Sequence, residues 1–257
     1  MTAGFVLAAA GLLGLLAPAG PATAGEKAGA AVAAGAEATA PRGAAAKARP
    51  ALGHDQTTYT FGVAPFAPTY TPPPPGSYEL PSIDTVGDHP VVDADGTRTT
   101  LSALIADRLA VVSFIYASCS EAAGCPMSTA VLHHLDRHLS EGPGLAKDVA
   151  LVTVSFDPGR DTPERLAAMQ KQRAPGSGWR FVTSPDEAAL QPLLDDFGQT
   201  IAKLLWPDGT WTGVYRHVLK VFLLDRERRV RNVYSVGLLH PELVKNDLET
   251  LRLEARR

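Results

Sequence analysis

The two cysteines of the chain are the residues whose type and spacing are best suited to chemistry. Cys119 and Cys125 lie in the stretch SFIYASCSEAAGCP, residues 113–126, with five residues between them. This spacing is longer than the C-x-x-C of common redox motifs and is unusual for a zinc finger. Small residues in the segment allow it to bend, so the two thiolates could share a metal ion or form a disulfide, which needs Cα atoms within about 7 Å.

The residue after the second cysteine indicates where a helix begins. Proline is favoured in the first turn of a helix, and Pro126 directly follows Cys125. We therefore expect Cys125 near a helix N-terminus, where the helix dipole and unpaired N–H groups lower the pKa of a thiol. An inert structural disulfide is the alternative, although a bridge that closes so short a loop restrains the unfolded chain only weakly.

Two apolar runs predict the strands that position the cysteines. Residues 109–117 and 148–156 are continuous apolar and β-branched stretches, typical of strands buried on both faces of a sheet. Between them, residues 126–140 carry apolar side chains at helical spacing. This strand, helix, strand order predicts a parallel pair with a right-handed crossover. Cys119 then follows the carboxyl end of a central strand, where sites of α/β sheets collect.

The remaining segments complete the prediction of the fold. Asp161 and Glu164, in capping-box spacing, predict a second helix that starts near Pro163. An Ala-Asp-Gly turn predicts an N-terminal hairpin before the first central strand, and a final amphipathic helix follows a hairpin formed by residues 217–225 and 230–237. The order predicts an α/β, thioredoxin-like fold, with a central mixed sheet flanked by helices and an N-terminal hairpin extension.

The N-terminal third differs in composition from the rest of the chain. Residues 1–24 contain a proline-free apolar run, from residue 3 to residue 17, that is shorter than a membrane-spanning helix, and end in an Ala-Thr-Ala cleavage pattern. We expect a signal peptide, or an uncleaved membrane anchor because no Lys or Arg precedes the run. Residues 25–75 are rich in Ala and Pro and predict a disordered linker. Residues 76–257 then form the folded domain.

The charge balance argues against a nucleic-acid partner. The chain has 24 Lys and Arg against 27 Asp and Glu, a formal net charge of −3. No run of basic residues alternates with aromatic residues, as a nucleic-acid-binding surface would require.

Four stretches resemble one known family. These are FIYASCSEAAGCP, VTVSFDPGRDTPERL, FGQTI and YRHVLKVFLLDRERRVRNVYSVG. Together they resemble the Sco/SenC family of copper-binding, thioredoxin-fold proteins, which assist assembly of the copper centre of cytochrome c oxidase. The resemblance covers roughly residues 77–252, and SFDPGRDTPERL is its most specific part.

The resemblance implies a copper site, Cu(I) or Cu(II), formed by Cys119, Cys125 and His217. Soft thiolates favour Cu(I), and an imidazole suits both oxidation states. We expect His217 at the start of a strand. The family usually has C-x-x-x-C, so the C-x5-C of this chain widens the loop, in which we expect Glu121 to be a solvated carboxylate.

The predicted signal segment implies a location, and the resemblance implies a partner. We expect an extracytoplasmic protein, in the periplasm or cell envelope, with a membrane tether if the N-terminus is not cleaved. Its partner would be a copper-accepting or disulfide-bearing protein, such as a cytochrome c oxidase subunit.

A second function class remains open. Cys119 and Cys125 could instead form the redox pair of a thiol-disulfide oxidoreductase, in which one cysteine attacks a disulfide and the other resolves the mixed disulfide. A thioredoxin would have Trp before its first cysteine, where this chain has Ser118. A peroxiredoxin would have Thr three residues before its cysteine, where this chain has Tyr116. Both differences favour the copper site.

Other polar residues have simpler interpretations. His134 and His138 are four residues apart on a predicted helix, but without a third ligand they are expected to form solvated helix surface. His240 precedes Pro241 and is expected to start the last helix. Asp157 and Asp161 are expected to cap the loop and the helix that follow the second central strand.

Overall fold

The computed structural model describes residues 70–119, 124–142, 145–173, 176 and 178–256. The predicted signal segment, most of the predicted linker and Glu121 lie outside these residues. The strands are β1 (Asp84–Thr85), β2 (Pro90–Asp93), β3 (Arg98–Thr100), β4 (Leu109–Ile115), β5 (Val149–Ser155), β6 (Arg180–Thr183), β7 (Ile201–Leu205), β8 (Trp211–His217), β9 (Val221–Leu224) and β10 (Arg229–Tyr234). The helices are α1 (Leu101–Ile105), α2 (Cys125–Glu141), α3 (Leu145–Asp148), α4 (Pro163–Arg173), α5 (Glu187–Asp196) and α6 (Pro241–Glu254).

A mixed sheet forms the core of the fold. Its eight strands follow the order β1-β10-β9-β4-β5-β6-β2-β3. Strand β4 pairs parallel with β5 and antiparallel with β9, and β5 pairs parallel with β6. Every residue of β4 and β5 is buried, as expected for central strands covered on both faces. The thioredoxin-like fold predicted from the sequence is therefore confirmed.

The N-terminal extension joins one edge of this sheet. Strands β2 and β3 form an antiparallel hairpin, whose turn contains Gly96 at a φ of 84°. Val92 and Asp93 then pair with β6. The predicted N-terminal hairpin is thus an added pair of strands at the sheet edge.

The segment before β1 lies along the last helix. The amide of Asn246 donates to the carbonyl of Pro73 at 3.1 Å, and the Gly76 N–H donates to the Thr250 hydroxyl at 3.0 Å. The start of the described chain is therefore fixed to α6 by polar contacts.

One predicted strand is wrong. Residues 217–225 were expected to form a single strand that starts at His217, but His217 is the last residue of β8 and β9 begins at Val221. The connection leaves the ladder because the side-chain amide of Gln199 donates to the Val218 carbonyl at 3.1 Å. His217 therefore belongs to a different sheet from β9.

The hairpin of β7 and β8 is a separate two-stranded sheet. Its register pairs Ile201 with His217 and Lys203 with Tyr215, and it shifts between Lys203 and Leu205. This hairpin, β6 and α5 were not predicted from the sequence. Because β8 carries His217, the hairpin positions one of the candidate site residues.

None of the helices in the described part of the chain combines the length and the apolar character needed to cross a bilayer.

Candidate metal centre

The structure brings together the three residues singled out in the sequence. One potential ligand atom from each of Cys119, Cys125 and His217 lies within 4.8 Å of the other two. The Cys125 sulfur is 3.6 Å from Nε2 of His217, and neither cysteine is in a disulfide. Among the described residues this is the only set of three potential ligands so close together.

Cys119 is positioned by a turn at the end of β4. Its N–H donates to the carbonyl of Tyr116 at 3.0 Å, and the N–H of Ala117 donates to the carboxylate of Asp161 at 2.7 Å. Cys119 is half-buried. The turn therefore places one partly accessible sulfur just after the carboxyl end of a central strand, as the sequence predicted.

Cys125 is the first residue of α2 and is almost fully buried, with 5% of its surface exposed. Gly124 precedes the helix and provides no side-chain cap. A hydrogen bond with the Cys119 thiol, burial and the charge of Cys119 together raise the pKa of the Cys125 thiol. The prediction of a lowered pKa was therefore wrong, because burial and a neighbouring sulfur outweigh the helix N-terminus.

His217 is held by aromatic side chains at the ends of the central strands. Its ring centroid is 5.7 Å from that of Tyr116 and 5.2 Å from that of Phe156. Tyr215 packs edge-on against both of these rings, at 5.3 and 5.4 Å. This packing orients the half-buried imidazole toward the sulfur of Cys125.

Arg160 joins the β7–β8 hairpin to the loop after β5. Its guanidinium lies 4.2 Å from the ring centre of Trp211, donates to the Gly213 carbonyl at 2.9 Å and pairs with the Asp157 carboxylate. The Tyr215 hydroxyl also donates to Asp157, at 3.3 Å, and burial together with the charge of Asp157 raises the pKa of Tyr215 to about 12. Asp157 thus links the loop to the hairpin through its side chain.

Asp161 does not cap α4, contrary to prediction. Its buried carboxylate accepts hydrogen bonds from the Ala117 N–H and, at 2.6 Å, from the Ser155 hydroxyl. The hydroxyl of Thr162 instead accepts the N–H of Arg165, at 3.4 Å. Asp161 faces inward because the ends of β4 and β5 present donors there, and it supports the turn that holds Cys119.

The positioning residues were only partly visible in the sequence. The Asp-Pro-Gly-Arg-Asp-Thr-Pro stretch marked this loop as specific, but the role of Arg160 was missed. The sequence feature that could have indicated this role is the pair of aromatic residues Trp211 and Tyr215, because a guanidinium can stack on the face of an aromatic ring. Recognising that contact required the β7–β8 hairpin.

The other candidate residues lie outside the three-residue site. His134 and His138 are half-buried on α2, where they line a surface groove with Pro241 and Lys245 of α6. His240 caps α6, because its Nδ1 accepts the N–H of Glu242 at 3.2 Å. The prediction that His240 starts the last helix is confirmed.

The chemistry of the three donors fits a soft metal ion. Two thiolates and one imidazole suit Cu(I), and the imidazole also suits Cu(II). Structural zinc sites almost always have four ligands, so three donors match them less well. Cys119, Cys125 and His217 are the residues that could hold such an ion.

The fold and the site define a thioredoxin-like protein with paired thiols and an imidazole from a separate hairpin. The family model described as SCO1/SenC matches residues 79–252, and the chain belongs to this family. No curated protein matches the chain.

Solved structures agree on the fold. A SCO1/SenC family lipoprotein from Bacillus anthracis str. Ames is 23% identical, with a TM-score of 0.54 over 65% of this chain and 95% of that one. ScoI from Arabidopsis thaliana with copper bound is 21% identical, with a TM-score of 0.51 over 63% and 98%. ScoI from Bradyrhizobium japonicum with copper bound is 20% identical, with a TM-score of 0.52 over 63% and 98%.

Proposed function

We propose that this chain is an exported copper-binding protein that holds one copper ion through Cys119, Cys125 and His217. The single observation that carries the proposal is the approach of two cysteine sulfurs and one imidazole to within 4.8 Å of one another. Family membership and the copper bound in the solved ScoI structures from Arabidopsis and Bradyrhizobium support the choice of metal.

The environment of Cys125 determines how copper would bind. Its thiol has a raised pKa, so an incoming ion must displace a proton to form the thiolate. Copper affinity therefore falls as the pH decreases. Cys119 and His217 are half-buried, so they offer the accessible side of the site.

The task proposed for the bound copper is delivery to, or redox maintenance of, the copper site of a respiratory oxidase. The family resemblance supports this role, with an oxidase subunit as the copper-accepting partner. The predicted signal segment supports an extracytoplasmic location, in which the N-terminus is either cleaved or retained as a membrane tether.

A thiol-disulfide oxidoreductase is the second candidate function. The two cysteines differ in exposure, and the more accessible Cys119 could attack a partner disulfide before the buried Cys125 resolves the mixed disulfide. The partner disulfide is thereby reduced to two thiols, while Cys119 and Cys125 become a disulfide. This reaction assigns no role to His217.

Anaerobic titration of the reduced protein with Cu(I), and a separate titration with Cu(II), test the proposal. We expect one ion per chain, strongly weakened binding in Cys125→Ser, and impairment chiefly of Cu(II) binding in His217→Ala. His138→Ala, a histidine on α2 outside the site, is the matched control and should bind like the wild type. Equal uptake by all variants would reject the site, and rapid catalytic reduction of disulfides by the wild type would favour the second function.

A further inference from the structure

The β7–β8 hairpin exposes an apolar surface beside the candidate metal centre. Of the ten large apolar residues exposed in the described part of the chain, five lie on this hairpin or at its exit, with exposures of 43–59%. They are Leu204, Leu205, Trp206, Val214 and Val218. We call the surface formed by these five residues and Arg216 the outer hairpin face.

The two faces of β8 have opposite surroundings. Tyr215 and His217 point inward, where their rings pack against Phe156. Because side chains alternate along a strand, Val214 and Arg216 point outward, and both are exposed. No strand of the eight-stranded sheet pairs with this hairpin. A two-stranded hairpin is marginally stable alone, so it is held by its inner face and leaves its outer face open.

Apolar side chains that are exposed next to one another are unfavourable in water and commonly mark an interaction surface. Each 1 Å² of apolar area removed from water contributes roughly 25 cal/mol, so a partner that covers this face would gain stability. On β7 every residue from Ala202 to Leu205 is exposed, so the adjacent Leu204 and Leu205 both reach the solvent.

The outer hairpin face adjoins the candidate metal centre, and this position indicates which protein would bind to it. Cys125 is buried, so copper at the site is reached from the side of Cys119 and His217. His217 stands between Arg216 and Val218, two residues of the outer hairpin face. A protein that withdraws the ion must bring its own ligand within bonding distance, and it then meets this hairpin.

The charge of the face indicates the chemistry of the partner. Arg216 is exposed and forms no ion pair with any residue that the structure describes, whereas Lys203 is paired with Glu187 at 2.9 Å. A partner surface with apolar side chains around a carboxylate complements this arrangement.

We propose that the outer hairpin face is the docking surface for the protein that accepts copper from this chain, and that the acceptor presents an apolar surface with a carboxylate opposite Arg216. This inference rests on the proposed copper-binding function. During transfer, Cu(I) keeps its oxidation state, breaks its bonds to Cys119, Cys125 and His217, and forms bonds to acceptor ligands. The protons released by acceptor thiols balance those taken up by the two freed thiolates.

Transfer kinetics test the inference. The full-length protein, loaded with one Cu(I), is mixed either with the copper-free soluble domain of an oxidase copper subunit or with bathocuproine disulfonate, a small chelator that needs no docking. We expect the double variant Leu204→Ser/Val214→Ser and the variant Arg216→Glu each to slow transfer to the protein by about tenfold, as loss of about 1.4 kcal/mol of docking energy would do. Their copper affinity and their transfer to the chelator should match the wild type.

The control is Ile83→Ser, which removes an exposed apolar residue outside the hairpin and should leave both rates unchanged. Unchanged transfer to the protein in both hairpin variants would overturn the inference, as would equal slowing with the chelator. If the hairpin variants alter only self-association in ultracentrifugation, the face binds a second copy of the chain. If they alter only binding to anionic vesicles, it binds lipid. Either result would also overturn the inference. Copper binding by the wild type without transfer rejects this inference alone, whereas absence of copper binding rejects the proposed function.

Discussion

Cys119 and Cys125 have different environments although their sulfurs share one site. Cys119 is half-buried in a turn, whereas Cys125 is buried at the first residue of α2. The hydrogen bond with Cys119 and burial raise the pKa of Cys125, so its thiolate is scarce at neutral pH. The two thiols should therefore differ in reactivity as well as in exposure, because the thiolate is the nucleophile.

Alkylation measures this difference directly. With iodoacetamide at pH 8 we expect rapid modification of Cys119 and much slower modification of Cys125, whose rate should rise with pH as its thiol ionises. Peptide mass spectrometry of timed samples assigns each rate. In the Cys119→Ser variant the neighbouring sulfur no longer raises the pKa of the Cys125 thiol, so Cys125 should react faster than in the wild type. Equal rates in the folded wild-type protein would contradict the raised pKa.

The identity of the site residues was more predictable than their ionisation. The spacing of Cys119 and Cys125 and the family resemblance indicated the three residues that the structure brings together. The direction of the Cys125 pKa shift was not predictable, because it depends on the burial of that residue and on the contact with Cys119. The role of Asp161 was missed for a similar reason, since its hydrogen-bond donors lie in the turn after β4 and at the end of β5.

At the scale of elements, two sets of contacts fix the β7–β8 hairpin to the domain. Tyr215 and His217 pack against aromatic rings at the ends of the central strands. Arg160 contacts the ring of Trp211, the Gly213 carbonyl and the Asp157 carboxylate. The hairpin carries His217, whereas the cysteines lie at the end of β4 and the start of α2. The distance between the imidazole and the sulfurs therefore depends both on this aromatic packing and on how firmly Arg160 holds the hairpin.

Replacing this anchor should loosen the hairpin without unfolding the domain. Arg160→Lys keeps the charge but loses the planar group that stacks on Trp211 and donates in two directions. We expect faster hydrogen exchange confined to β7 and β8, and Cu(II) affinity weakened by about tenfold, in line with the loss of a residue that orients a metal ligand. Arg98→Lys, at an exposed position on β3, should change neither. Unaltered exchange in the hairpin would show that Arg160 is not its anchor.

The elements that were predictable differ physically from those that were missed. The central strands β4 and β5 are continuous apolar runs because both of their faces are buried. The hairpin lacks that pattern, since Leu204 and Val214 are exposed and a register shift interrupts the alternation. Its turn did carry a signal, because Asp208 followed by Gly209 is typical of a hairpin.

At the scale of the whole molecule, an ion-pair network centred on buried Asp225 and Arg231 joins distant parts of the chain. The Asp225 carboxylate pairs with Arg229 at 2.7 Å and with Arg231 at 3.1 Å. Arg231 also donates to the Leu80 carbonyl and pairs with Glu254 of α6, each at 2.8 Å. The network links the β9–β10 turn to the segment before β1 and to the end of the last helix, so its loss should weaken the domain as a unit.

Loss of this network should account for part of the decrease in unfolding free energy at acid pH. Burial alone would raise the pKa of Asp225, but hydrogen bonds from Arg229 and Arg231 and the charge of Arg229 outweigh it and lower that pKa. Its contribution is therefore present above about pH 4, the ordinary value for Asp, and is lost as the pH falls through the lower folded value. Asp225→Asn should cost about 3 kcal/mol at pH 7, because it leaves buried Arg231 without this partner, and should flatten the loss of stability below pH 4. Urea unfolding between pH 7 and pH 2 measures both effects. The control, Glu227→Gln, removes an exposed partner of Arg229 and should keep the wild-type dependence of unfolding free energy on pH. If the Asp225→Asn variant lost stability at low pH in parallel with the wild type, Asp225 would not titrate in this range.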